Sequence, residues 1–142
     1  MAIKGGAGAV AWHSPMGLTS GAYWMLIVNA AWDICCGASM QLEIVLGRRL
    51  WLADAHFGLW LYEDDRFNVG FKIMLTMMVL QFGMMRLLSA VGGDPTMAVI
   101  SYATEALLLA LGGVTGHTDP RRGACVCMLC VVCGLALVGH HK

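Results

Sequence analysis

Charge is scarce in this 142-residue chain. Lys, Arg, Asp and Glu make up 13% of it, about half the share of an ordinary soluble domain, too little to cover the 58% that is hydrophobic. An excess of one sign is missing too, because nine basic residues face nine acidic ones. With no basic field to draw in a phosphate backbone, nucleic acid is not an expected partner.

Motifs that specify a reaction are also lacking. There is no G-x-S-x-G elbow, no H-E-x-x-H pair, no phosphate loop and no dinucleotide fingerprint. Ser, His and Asp occur without a grouping that pairs a nucleophile with its base, so no enzymatic activity is expected. Residues 1–15 are rich in Gly and Ala with a single Lys4. They have neither the Arg-rich pattern of a mitochondrial presequence nor the regions of a secretory signal, and the first apolar helix is expected to act as its own insertion signal.

What the chain does contain is four apolar runs, at about 22–40, 71–91, 96–114 and 124–139. Each is to be compared with the roughly 20 residues a helix needs to cross about 30 Å of hydrocarbon. The fourth is short unless its flanking glycines are drawn in or the bilayer thins around it. Gly92, Gly93, Asp94 and Pro95 stop the second run. The short later connections suit antiparallel neighbours. The expectation is an all-α membrane protein: a single domain, an antiparallel bundle of about four transmembrane helices.

Only the first connection is long. Residues 48–66 mix Trp51, Phe57, Trp60 and Tyr62 with Arg48, Arg49, Asp54, Glu63, Asp64, Asp65 and Arg66. That mixture predicts an amphipathic segment in the headgroup region, the aromatic rings touching lipid. The first and third connections hold Arg48, Arg49, Arg66, Arg121 and Arg122, with Lys72 at the membrane edge, against only Lys4 and Lys142 elsewhere outside the spans. This asymmetry places the two connections on the cytosolic, matrix or stromal side and both termini opposite.

Three ionisable residues fall inside the runs: Asp33, Arg86 and Glu105. A charge at mid-membrane costs about 2.5 to 3.5 kcal/mol on insertion scales, so such groups turn inward and find partners. At about 1.5 Å per residue, Asp33 and Glu105 lie within roughly 3 Å of the midplane and Arg86 about 7 to 8 Å toward the terminal side, an offset an arginine side chain can mostly cover. The three are expected to form a structural cluster tying the first three helices together. The alternative is a proton or ion path using Asp33 and Glu105 as carriers.

Small residues give a second signal. Gly17 and Gly21 open the first helix and Gly112 and Gly116 close the third, and such spacing predicts close helix packing. Cys125, Cys127, Cys130 and Cys133 invite a metal or iron–sulfur reading. Positions i, i+2, i+5 and i+8 of one helix fan too widely to enclose an ion, so these residues and the Cys35, Cys36 pair are expected to pack as small apolar groups, and no metal is expected. His56 and His117, near the membrane surface, could ligate a haem or pigment. No cofactor is expected beyond bound lipids.

The four-span layout, the basic start of the second helix and its ending in Arg86, Leu87, Leu88, Ser89 and Ala90 resemble the small tetraspan scaffold family of sterol biosynthesis in the endoplasmic reticulum. The resemblance would imply a non-catalytic scaffold. It stops at the second helix, since residues 106–113 match only after a register shift, and no membership is inferred from it. The functional expectation is a non-catalytic accessory subunit of a larger membrane complex, an energy-transducing one in the mitochondrial inner membrane or a thylakoid. A small transporter, and a scaffold or lipid-modifying enzyme of the endoplasmic reticulum, are the alternatives.

Overall fold

The computed structural model describes residues 18–60 and 69–139. Among them are five helices: α1 (Ser20–Leu46), α2 (Trp51–Phe57), α3 (Val69–Gly92), α4 (Thr96–Val114) and α5 (Pro120–Gly139). All but α2 are long and apolar enough to cross a membrane, the mark of an integral membrane protein.

The helix ends follow local chemistry. Thr19 caps α1, its hydroxyl accepting from the Ala22 N–H at 3.3 Å, and Gly47 ends the helix in a left-handed turn at φ 64°. This first helix is longer than expected, continuing to Leu46. The fourth span is longer too, because Pro120, Arg121 and Arg122 belong to α5 and not to the preceding loop. Pro120 needs no amide partner at a first helical position, and the Asp119 carboxylate accepts from the N–H groups of Arg121 and Arg122 at 3.0 and 2.8 Å. Replacing Asp119 with Ala leaves both donors open. The expected cost is about 1 kcal/mol, read as a lower thermal unfolding midpoint in detergent.

On α1 the buried positions Ala22, Leu26, Ala30, Asp33, Cys36, Met40 and Glu43 recur every three or four residues, with Gly37 beside Cys36. They form one stripe, as helical periodicity requires, while Trp24, Val28, Trp32 and Val45 point outward. Contacts between helices run in opposite directions along the chain. Gly37 meets Leu80 and Gly83 meets Ile34 between α1 and α3; Arg86 bonds Ser101 and Ser89 bonds Ala98 between α3 and α4; Gly134 meets Tyr102 and Cys127 bonds Ala106 between α5 and α4. Sequential long helices are therefore antiparallel neighbours.

The segment expected to lie flat at the surface behaves differently. The Leu50 N–H donates to Glu43 at 3.0 Å, whereas His56 stands beside Asp33, so α2 runs back along the second half of α1. Its face carrying Ala53 and Phe57 joins Cys36, Met40, Leu75 and Val79 in one apolar cluster. A second cluster gathers Leu26, Ala90, Ala98, Tyr102, Cys133 and Leu137 at the other end of the bundle. The turn after α2 is tied to the α4–α5 connection by the Asp119 N–H, which donates to the Leu59 carbonyl at 2.8 Å, and by pairing of Trp60 with Thr118.

Candidate functional site

Between the two apolar clusters lies the polar centre of the bundle. Arg86 of α3 donates through Nη1 to Asp33 of α1, through Nη2 to Glu105 of α4, and through Nε to the Ser101 hydroxyl at 3.1 Å. Its guanidinium carbon sits 4.0 Å from the centroid of the Tyr102 ring, in the range of a cation–π contact. The Tyr102 hydroxyl accepts from the Asn29 amide at 2.7 Å. One cation thus binds three helices, and Arg86 and Asp33 are each less than a twentieth exposed. The three charges singled out in the sequence are brought together.

Asn29, Ser101 and Tyr102 are members that sequence reasoning misses, although Asn29 precedes Asp33 by one helical turn and so shares its face. His56 is another. It enters from α2, its Nε2 at 3.9 Å from Asp33 Oδ1, beyond hydrogen-bond reach. Its Nδ1 is buried and, among the described residues, has no hydrogen-bond partner. His56, Asp33, Glu105, Tyr102 and Cys130 line a cavity of about 180 Å³, which has room for a few water molecules.

Burial lowers the His56 imidazole from its ordinary value of 6.5; Glu105 opposes this and Arg86 adds to it. His56 is therefore neutral in the folded protein near neutral pH. Below 6.5 the unfolded chain takes up a proton that the folded chain still refuses, so stability falls as pH drops through that value. Thermal unfolding midpoints should decline on acidification below about pH 6.5, and His56→Gln should remove that part of the decline. An identical pH profile in the variant would contradict it.

The other singled-out residues are more dispersed. Trp51 is exposed, and Trp60 is half-buried with its ring 5.7 Å from that of Phe71, edge to face. Phe57, expected to touch lipid, is instead buried with Lys72 Nζ 5.0 Å from its ring centroid. The reason is the turn of α2 back along α1, which puts this ring on the inner face. Gly17 and Tyr62 lie outside the described residues. A Cβ at Gly21 would meet nothing within 4 Å, and Gly116 stands in open space at φ 72°, where glycine serves the left-handed turn after α4. Neither mediates close packing. Gly112 does, with a Cβ position 2.5 Å from Thr118 Cγ2 and 3.3 Å from Trp60. The glycines that bring α1 and α3 together are Gly37 and Gly83, outside the two pairs given by spacing.

Cys130 and Cys133 are buried, Cys127 half-buried and Cys125 exposed. Among the described residues no three His, Cys, Asp or Glu side chains are grouped to hold a metal ion. His117 lies in the α4–α5 turn, its N–H donating to the Gly112 carbonyl at 2.8 Å. No family model, curated protein or solved structure matches the chain.

Proposed function

We propose that the protein is a non-catalytic accessory subunit of a multi-subunit membrane complex, acting in assembly, stability and lipid or subunit contacts. The observation that supports this is the division of its surface. The charges of the long helices near mid-bundle turn inward and meet one another, and what faces outward is mostly apolar, including Trp24, Val28, Met77, Leu107 and Leu135. Such faces can meet either lipid or the helices of a neighbour without cost, since hydrocarbon is as apolar as leucine. The surplus of Lys and Arg at the α2 end of the bundle favours that end on the cytosolic, matrix or stromal side, with the termini opposite.

Extraction of native membranes, mitochondrial and thylakoid among them, in mild detergent followed by native electrophoresis tests the reading. Comigration with a high-mass complex is expected, and a monodisperse species of 15.2 kDa would overturn it.

One observation favours a second reading. Two carboxylates meet one guanidinium, so the cluster with all three ionised carries one uncompensated negative charge beside a small cavity, and neutral His56 does not cancel it. A proton is the simplest counter-charge in a low-dielectric interior, and Asp33 and Glu105 would be its carriers. Under this reading Asp33→Asn or Glu105→Gln abolishes pH-driven proton flux in proteoliposomes; unchanged flux removes the reading.

A further inference from the structure

Two unlike cavities meet at Trp60. On one side a cleft of about 340 Å³ opens between α3 and α4, walled by Phe71, Met74, Leu75, Met78, Leu108 and Leu111. On the other a hollow of about 390 Å³ is lined by Arg49, Lys72 and Arg122 together with Glu43 and Asp54. Trp60 borders both.

The cleft has a structural cause. Helices α3 and α4 are bonded near their shared turn, where Ser89 meets Ala98 and Arg86 meets Ser101 and Glu105. Toward the far end the apolar side chains of Leu75, Met78, Leu108 and Leu111 face a gap. In a bilayer such a gap does not hold water, because its walls offer water almost no partners. Hydrocarbon is the solvent at hand.

The hollow has a charge preference. Among the described residues, three cations against two carboxylates leave one positive charge in excess. Glu43 is buried and engaged, accepting from the Leu50 N–H and standing 3.7 Å from Lys72. Arg49 and Arg122 are exposed and, among the described residues, make no ion pair. Guanidinium groups match the oxygens of a phosphodiester. Asp54 at the same hollow disfavours a head with further phosphates. Depth along α3 agrees with a lipid's own order, since Lys72 precedes Met74 and Met78 on the way from the helix start toward Arg86.

We propose that the two cavities together bind one anionic phospholipid, its phosphodiester between Arg49, Arg122 and Lys72 and one acyl chain along Met74, Met78 and Leu108. Trp60 stands at the join, a position suited to a ring that is apolar at one end and polar at the other. The inference rests on the helices spanning a bilayer and not on the accessory role.

Native mass spectrometry of the purified chain in mild detergent, offered equal amounts of phosphatidylglycerol and phosphatidylcholine, tests it. Wild type should retain one phosphatidylglycerol, favoured about tenfold over phosphatidylcholine, and the double variant Arg49→Gln, Arg122→Gln should lose that preference. Glycerophosphoglycerol, the same head without chains, and inorganic phosphate should not displace the bound lipid. Equal retention of the two lipids by wild type, an undiminished preference in the double variant, or displacement by the chainless head would each overturn the proposal. Monodisperse wild type that retains neither lipid would overturn it as well, leaving the membrane-spanning reading intact.

Discussion

Arg86→Leu should be the most damaging single substitution in the bundle, at about 3 to 5 kcal/mol, the cost of removing one partner of a buried ion pair. The variant deletes the donors to Asp33, Glu105 and Ser101. It leaves two carboxylates facing each other in an interior with no other cation in contact with them among the described residues. Since folded domains hold only about 5 to 15 kcal/mol in reserve, most of the protein should leave the monodisperse peak in detergent. A charge-free centre tests the cause. The triple variant Asp33→Asn, Arg86→Met, Glu105→Gln removes the unpaired charges along with the cation, and it should recover much of the lost stability. Equal loss in the single and triple variants would mean that packing of the Arg86 stem, and not charge, holds the three helices.

Gly83→Val is the second large effect. A Cβ at this position would lie 2.8 Å from Ile34 Cγ1, 3.0 Å from Asp33 Cβ and 3.1 Å from the Ile34 backbone nitrogen. The backbone atom cannot step aside as a side-chain tip can, so α1 and α3 must separate. Overpacking costs about 1 to 3 kcal/mol and occasionally more; here the top of that range is expected, because the same displacement pulls Asp33 away from Arg86. Gly21→Ala is the control. Its Cβ would meet nothing, and an alanine in a helix is favoured over glycine, so its unfolding midpoint should stay level or rise slightly. If Gly83→Val matched that control, the close approach of α1 and α3 would be refuted.

Much of this is legible in the sequence because hydrocarbon imposes simple rules. Runs of the right length are helices, and the third run, 96–114, coincides with α4. Charges inside such runs must be neutralised locally, which is why Asp33, Arg86 and Glu105 can be expected to meet before any contact is known. The start of α5 escapes a reading by hydropathy because apolar content ends before the helix does; Asp119 followed by Pro120 is a cap and first-turn signal that hydropathy ignores. The path of α2 is hidden for a different reason. A seven-residue helix has little stability of its own, and its burial comes from Met40, Leu75 and Val79, partners remote in sequence. His56 at the polar centre follows from that path alone. Glycine spacing misleads because it records neighbours along one helix, whereas Gly37 and Gly83 are matched across two.

Lipid is the solvent of the outward faces of the four long helices, and two tryptophans of α1 report on it directly. Trp24 and Trp32 are 60% and 46% exposed, eight residues and so about 12 Å apart along the helix. With Trp12, Trp51 and Trp60 replaced by Phe, the protein is reconstituted in vesicles of lipids brominated at shallow or deep acyl positions. Both indoles should emit at short wavelength and be quenched, Trp24 best by shallow bromines and Trp32 by deep ones. Long-wavelength emission untouched by bromine and quenched by aqueous iodide would contradict it.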